Sequence, residues 1–136
     1  MYVMVVCAGN VARSPALACL LQASRADLRV ESAGVGRKAV AGLRMKKPMR
    51  GLLTQAGYAE FAQAHRSRLI ADLPERPDLC IAVGVPQMRR LEELLPDVPR
   101  QACDPLIPDP AYGDQVSYDR AWTCILENAA RLAVAL

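Results

Sequence analysis

The chain has 136 residues, of which 52% are hydrophobic and 23% charged, and carries a formal net charge of +3. That length suits one domain, 1–136, with one core, and the apolar fraction excludes a disordered chain. So mild a charge, with no nucleic-acid-binding motif beside it, gives no expectation of a nucleic-acid partner, and no apolar stretch approaches the ~20 residues that span a bilayer. Nothing basic precedes the first apolar run, so no secretory signal is expected and the chain reads as cytoplasmic. Its five cysteines (Cys7, Cys19, Cys80, Cys103, Cys124) are odd in number and scattered, which argues against a disulfide framework. With one histidine and no CxxC pair there is no zinc pattern, and neither a metal nor a cofactor is expected. Most of these thiols read as small buried hydrophobes, and one as a possible nucleophile.

YVMVVC (2–7) is a continuous apolar run, the pattern of a strand buried on both faces. PALACLLQAS (15–24) predicts a helix, with Ser14 as its N-cap and Pro15 at the first helical position. RVESAG (29–34) reads as a second strand. A helix is expected over 47–56, between Pro48 near its start and Gly57 just past its end. DLCIAV (78–83) is a third strand, and PQMRRLEELLP (86–96) a helix bounded by prolines. A short fourth strand is expected near 98–103. The segment 104–113, DPLIPDPAYG, is loop, and the last helix begins near Ser117. On that helix Tyr118, Trp122, Ile125, Ala129, Leu132 and Leu136 share one face, so Trp122 reads as core. Strands alternating with helices predict a three-layer α/β sandwich around a central four-stranded, mainly parallel sheet. Ligands in such folds bind beyond the carboxyl ends of the strands, where Cys7 and the loop after it should lie.

The spacing Cys7-x5-Arg13 lets that loop curl around one small anion. The backbone N–H groups of Ala8, Gly9, Asn10, Val11 and Ala12 can turn inward as an anion nest at a helix start. Gly9 has no Cβ to clash in the turn, and Asn10 tolerates left-handed backbone better than most residues. Arg13 can grip two phosphate oxygens in bidentate fashion. Cys7 would sit beneath the phosphorus, and the nest, the helix dipole and Arg13 all favour its thiolate as a phosphoryl-transfer nucleophile. Cys-x5-Arg alone is a weak signal in an arginine-rich chain. The buried strand before it, Gly-Asn inside it and Ser-Pro after it make it specific. Transfer to sulfur expels an alkoxide or phenolate that needs a proton, and Asp104 and Asp109, each followed by proline, are both candidate donors.

VCAGNVARSP resembles the signature of the low-molecular-weight protein tyrosine phosphatases, V-C-x-G-N-x-C-R-S-P. SAG at 32–34, AHRSRLI at 64–70, DLCIAVGVPQMRRL at 78–91 and DPAYG at 109–113 resemble that family's later landmarks in the same order. The resemblance implies a cysteine-dependent phosphatase working through a phosphocysteine on a phosphorylated protein or small aryl phosphate, expected as a monomer. It also selects Asp109 as general acid and base, and implies that Asn10, Ser14, Ser32 and His65 form the polar network supporting the loop. Tyr112 would wall the substrate slot.

Three departures bear on specificity. Ala12 stands where the family usually has a second cysteine, which removes an intraloop disulfide and leaves Cys7 open to oxidation beyond sulfenic acid. Ala111 precedes Tyr112 where two aromatics are usual, and the 35–44 loop has none, which thins the slot. Arg37, Lys38, Arg44, Lys46, Lys47 and Arg50 crowd the stretch expected to border the pocket, and 37–59 contains no acid. Val11 occupies the position where relatives acting on phosphoarginine tend to carry threonine, which leans toward aryl phosphates. An arsenate reductase on the same scaffold is a second reading, although Gly84 to Asp97 lacks the relay cysteines it would need. A catalytically silent phosphate- or phosphoprotein-binding module is a third.

Overall fold

The computed structural model describes residues 1–110 and 113–136. Four strands, β1 (Tyr2–Cys7), β2 (Arg29–Gly34), β3 (Leu79–Ala82) and β4 (Arg100–Ala102), form one sheet in the order β2-β1-β3-β4. All three pairings are parallel. Around the sheet lie α1 (Arg13–Ser24), α2 (Lys47–Gln55), α3 (Ala59–Ala64), α4 (Val85–Leu94) and α5 (Gln115–Ala135), with a 3₁₀ turn at Ile70–Asp72.

The apolar run of β1 makes it a central strand, since every residue of it is buried. Alternate side chains enter opposite layers. Val3, Val5 and Cys7 join a core with Leu17 and Leu21 of α1, Met49 and Leu53 of α2, and Ile125 and Leu132 of α5. Met4 and Val6 join a smaller core with Ile70, Cys80, Leu91 and Val98. Two cores on two faces of one sheet make the expected three layers. Truncating any one of the fully buried leucines to alanine should cost about 2–5 kcal/mol. Trp122 is half-buried against the larger core.

Several boundaries differ from expectation. Helix α1 starts at Arg13, so Ser14 lies inside the first turn and caps nothing; Ala12 holds the N-cap position without a side-chain bond. Pro15 is still tolerated there, because the first four N–H groups of a helix have no intrahelical partner. Helix α5 begins earlier than expected because Asp114 caps it, its Oδ1 accepting the Ser117 N–H at 2.8 Å. Helix α3 has no counterpart among the expected elements.

Candidate active site

The chain leaves β1 at Cys7, which is buried, and turns through residues 8–12 into α1. The left-handed residue of the turn is Asn10, at φ 58°, and not Gly9. A Cβ at Gly9 would meet only the Val11 side chain, at 3.5 Å, so space does not demand glycine there. Asn10 is wholly buried and every one of its polar groups is used. Its N–H donates to Cys7 Sγ at 3.2 Å, and Nδ2 donates to Ser14 Oγ and Ser32 Oγ, both at 2.9 Å. Its Oδ1 accepts the Arg68 N–H at 2.9 Å, and its carbonyl lies 2.7 Å from His65 Nε2. Burial above all holds the His65 imidazole below its usual value, and because a carbonyl oxygen can only accept, Nε2 carries the hydrogen and donates to it. Ser14 Oγ lies 2.9 Å from the Cys7 sulfur. Because Ser14 Oγ accepts from Asn10, its own hydrogen is free to point at the sulfur. The four polar residues expected around the loop therefore do meet, with Asn10 at their centre.

The outside of the loop is fastened through its carbonyls. Cys7 O accepts the Val35 N–H at 3.0 Å, Ala8 O the Gly36 N–H at 3.0 Å, and Val11 O the Lys46 N–H at 2.8 Å. Among the described residues, no protein acceptor takes the N–H groups of Ala8, Gly9, Val11 or Ala12. Carbonyls turned out and amides left over is the polarity of an anion nest. Gly34 and Gly36 are needed for this packing, since a Cβ on either would fall 2.9 Å from Ala8 O. Both escaped the sequence reading as site residues, although a Gly-x-Gly ending a buried strand is a signal of close backbone approach.

Between Gly36 and Lys46 the chain forms a rim whose two ends are both bonded to the loop. Its middle is held by buried Ser67. That residue's Oγ accepts the Leu43 N–H at 2.9 Å and donates to Val40 O at 2.6 Å, while its carbonyl accepts the Gly42 N–H at 2.9 Å. Val40 and Leu43 are exposed on this rim.

Arg13 is buried, and its Nη1 donates to Ile107 O at 3.1 Å. Its Nη2 lies 3.8 Å from Asp109 Oδ2, whose side chain is 63% exposed. A cavity of about 420 Å³ beside them is lined by Arg13, Val85, Gln87, Leu106, Pro108 and Asp109, among others. Asp104 has a different task. Its N–H donates to Asn128 Oδ1 at 2.9 Å, its carbonyl accepts Arg131 Nε at 3.1 Å, and Asn128 Nδ2 donates to Pro105 O at 2.8 Å. These bonds anchor the start of the loop to α5, while the Ile107 N–H, donating to Val83 O at 2.9 Å, fixes it again just before Asp109, which faces Arg13. Burial first, and then the nearby Asp109 charge, push the Tyr118 phenol upward. Tyr112, expected as a slot wall, and its neighbour Ala111 lie outside the described residues.

All five cysteines are free. Burial pushes the Cys19 and Cys80 thiols up to about 11 and that of Cys103 up to about 12, as fits thiols used for packing. Among the described residues no helix is long and apolar enough to cross a membrane, and no cluster of His, Cys, Asp and Glu is arranged to hold a metal ion.

The profile of the low molecular weight phosphotyrosine protein phosphatase family matches residues 2–136. The chain belongs to that family. The low molecular weight protein-tyrosine-phosphatase Wzb of Escherichia coli is 28% identical to it over 144 residues, which cover 98% of this chain and 94% of Wzb. Vibrio vulnificus Wzb, solved in complex with benzylphosphonate, superposes with a TM-score of 0.88 at 23% identity and covers 99% of this chain and 98% of its own. Erwinia amylovora tyrosine phosphatase AmsI superposes at 0.87 with 22% identity, covering 99% and 92%. This low molecular weight phosphatase thus has the fold of its relatives and their class of activity, that of a cysteine-based phosphatase.

Proposed function

We propose that residues 1–136 act as one catalytic domain that hydrolyses phosphotyrosine, or a similar aryl phosphomonoester, through a phosphocysteine. The Cys7 thiolate attacks phosphorus from below the nest, forming the S–P bond as the bond to the phenolic oxygen breaks. Loop N–H groups and Arg13 hold the equatorial oxygens, and Asp109 gives its proton to the departing phenolate. The Asp109 carboxylate then takes a proton from water as that water attacks phosphorus. The S–P bond breaks, and inorganic phosphate and the thiolate are released. Ser14 hydrogen-bonds the sulfur throughout, which stabilises it both as nucleophile and as leaving group.

One observation carries this reading: a loop with its carbonyls fastened outward surrounds a buried cysteine, with a buried arginine and an exposed carboxylate 3.8 Å apart at its mouth. Val11 and the apolar Val85, Leu106 and Pro108 beside that mouth suit an aromatic leaving group, as do the names of the curated relatives. Free thiols throughout suit a reducing cytoplasm.

The test is hydrolysis of aryl phosphates without added metal. Cys7→Ser should abolish turnover. Asp109→Asn should slow phenyl phosphate by about 10²–10³-fold yet barely slow an ester whose phenol is a strong acid, because only the poorer leaving group needs the proton. Full activity in Cys7→Ser, or equal losses on both esters in Asp109→Asn, would remove the assigned roles.

A further inference from the structure

Several arginines on this surface have an acidic neighbour. Arg25 pairs with Asp27, Arg29 with Glu31 and Glu75, Arg37 with Glu93, Arg76 with Asp97, and Arg100 with Glu92. One stretch gathers cations with no acid of its own. No acid occurs between residues 37 and 59. Among the described residues no carboxylate pairs with Arg44, Lys46, Lys47 or Arg50, although ion pairs are plentiful elsewhere.

These four cations lie within seven consecutive positions, and three of them, Arg44, Lys47 and Arg50, line a groove of about 520 Å³ together with Thr54, Gln55 and Gln63. Arg44 donates to Gln63 Oε1 at 2.8 Å, which holds its guanidinium at the groove without neutralising it. Lys46 and Lys47 stand at the start of α2, the end where the helix dipole is itself positive, and the first turn contains no acid. The arrangement repels itself and nothing in the described chain offsets it. Lys46, one residue before the groove's Lys47, donates its N–H to Val11 O of the phosphate loop at 2.8 Å, so the groove adjoins that loop.

We infer that this groove is a docking surface for an acidic segment of the phosphorylated protein substrate, with glutamates and aspartates flanking the phosphorylated residue seated among Arg44, Lys47 and Arg50. The inference rests on the phosphatase reading for what is delivered, but the groove binds acid independently of catalysis. Several weak exposed pairs acting together account for an effect of about tenfold, screened by salt.

The experiment titrates two fluorescent phosphotyrosine peptides into the Cys7→Ser protein and reads anisotropy at low and high salt. One peptide has glutamates on both sides, the other glutamines. The glutamate peptide should bind about tenfold more tightly at low salt, the gap should close at high salt, and Lys47→Gln/Arg50→Gln should abolish it. That double variant removes cations from a helix start, so its melting temperature should not fall. Equal affinity of the two peptides would overturn the inference. So would tripolyphosphate displacing both peptides alike and binding more tightly than the glutamate peptide, since the groove would then be a small-polyanion site. Aryl phosphate turnover by the wild type is measured beside it. A glutamate preference in a protein with no turnover upholds the docking surface and removes the phosphatase reading alone.

Discussion

Replacing Asn10 with alanine tests the central support of the phosphate loop. The substitution removes three buried side-chain hydrogen bonds, from the Arg68 N–H and to Ser14 and Ser32, each 2.9 Å long. Each contributes about 1 kcal/mol net. Alanine must also adopt φ 58°, which costs an ordinary L-residue roughly 1–2 kcal/mol. The expected loss is about 4–5 kcal/mol, a large share of the ~5–15 kcal/mol that keeps a domain folded. Asn10→Gly loses the same bonds but accepts the left-handed backbone freely, so it should fall about 1 kcal/mol less. Equilibrium urea unfolding at constant m resolves both quantities. A loss below about 1.5 kcal/mol for alanine, or a glycine variant no milder than the alanine one, would refute the assignment of the strain and the bonds to this residue.

Three further outcomes follow from the geometry. Gly36→Ala places a Cβ 2.9 Å from Ala8 O, so it should push the loop out of shape. Aryl phosphate turnover should fall by at least tenfold in that variant, while Gly51→Ala, which meets nothing, serves as its control. His65 titrates lower in the folded protein than its ordinary 6.5, chiefly through burial. The unfolded chain therefore binds the proton first, and stability should decline as pH drops below about 6.5 toward the folded-state value. His65→Gln should flatten that decline in urea midpoints measured across pH. Asn128→Ala strips the loop of its bonds at Asp104 and Pro105 and should cost about 2–4 kcal/mol in thermal or urea unfolding. It should also slow phenyl phosphate more than an activated ester, because the loop presenting Asp109 loses its anchor.

The features legible in the sequence are those written in side-chain type and local order. The continuous apolar run of β1, the apolar α1 that follows the loop and the Cys7–Arg13 spacing each state their structure within a dozen residues. Helix α3 could not be seen, because its six residues bury only Ala62 and show no period. Strand β4 was expected too long. Its Arg100–Ala102 pairs only with β3, and the apolar residues on either side, Val98 and Cys103, are buried without belonging to the strand. Ser14 was expected as a cap because Ser-Pro is the usual helix start, but the demands of Cys7 and Asn10 on its hydroxyl prevailed. The network's link to Arg68 runs through a main-chain N–H, and such donors carry no residue identity. Asp104 and Asp109 look alike along the chain. What separates them is Asn128 and Arg131, more than 20 positions away, which take the main chain at residue 104.

The rim from Gly36 to Lys46 is attached to the phosphate loop by main-chain bonds at both ends and clasped by Ser67 between them. Apart from Gly36, Ser67 and Gly42, whose φ of 84° favours glycine, these attachments are indifferent to side chains. The surface that greets a substrate and the machinery that cleaves it are therefore separable in inheritance. With Gly42 kept, residues 37–44 can be exchanged as a cassette, by mutation or by grafting, and a single chemistry can pass through a succession of substrates without being rebuilt.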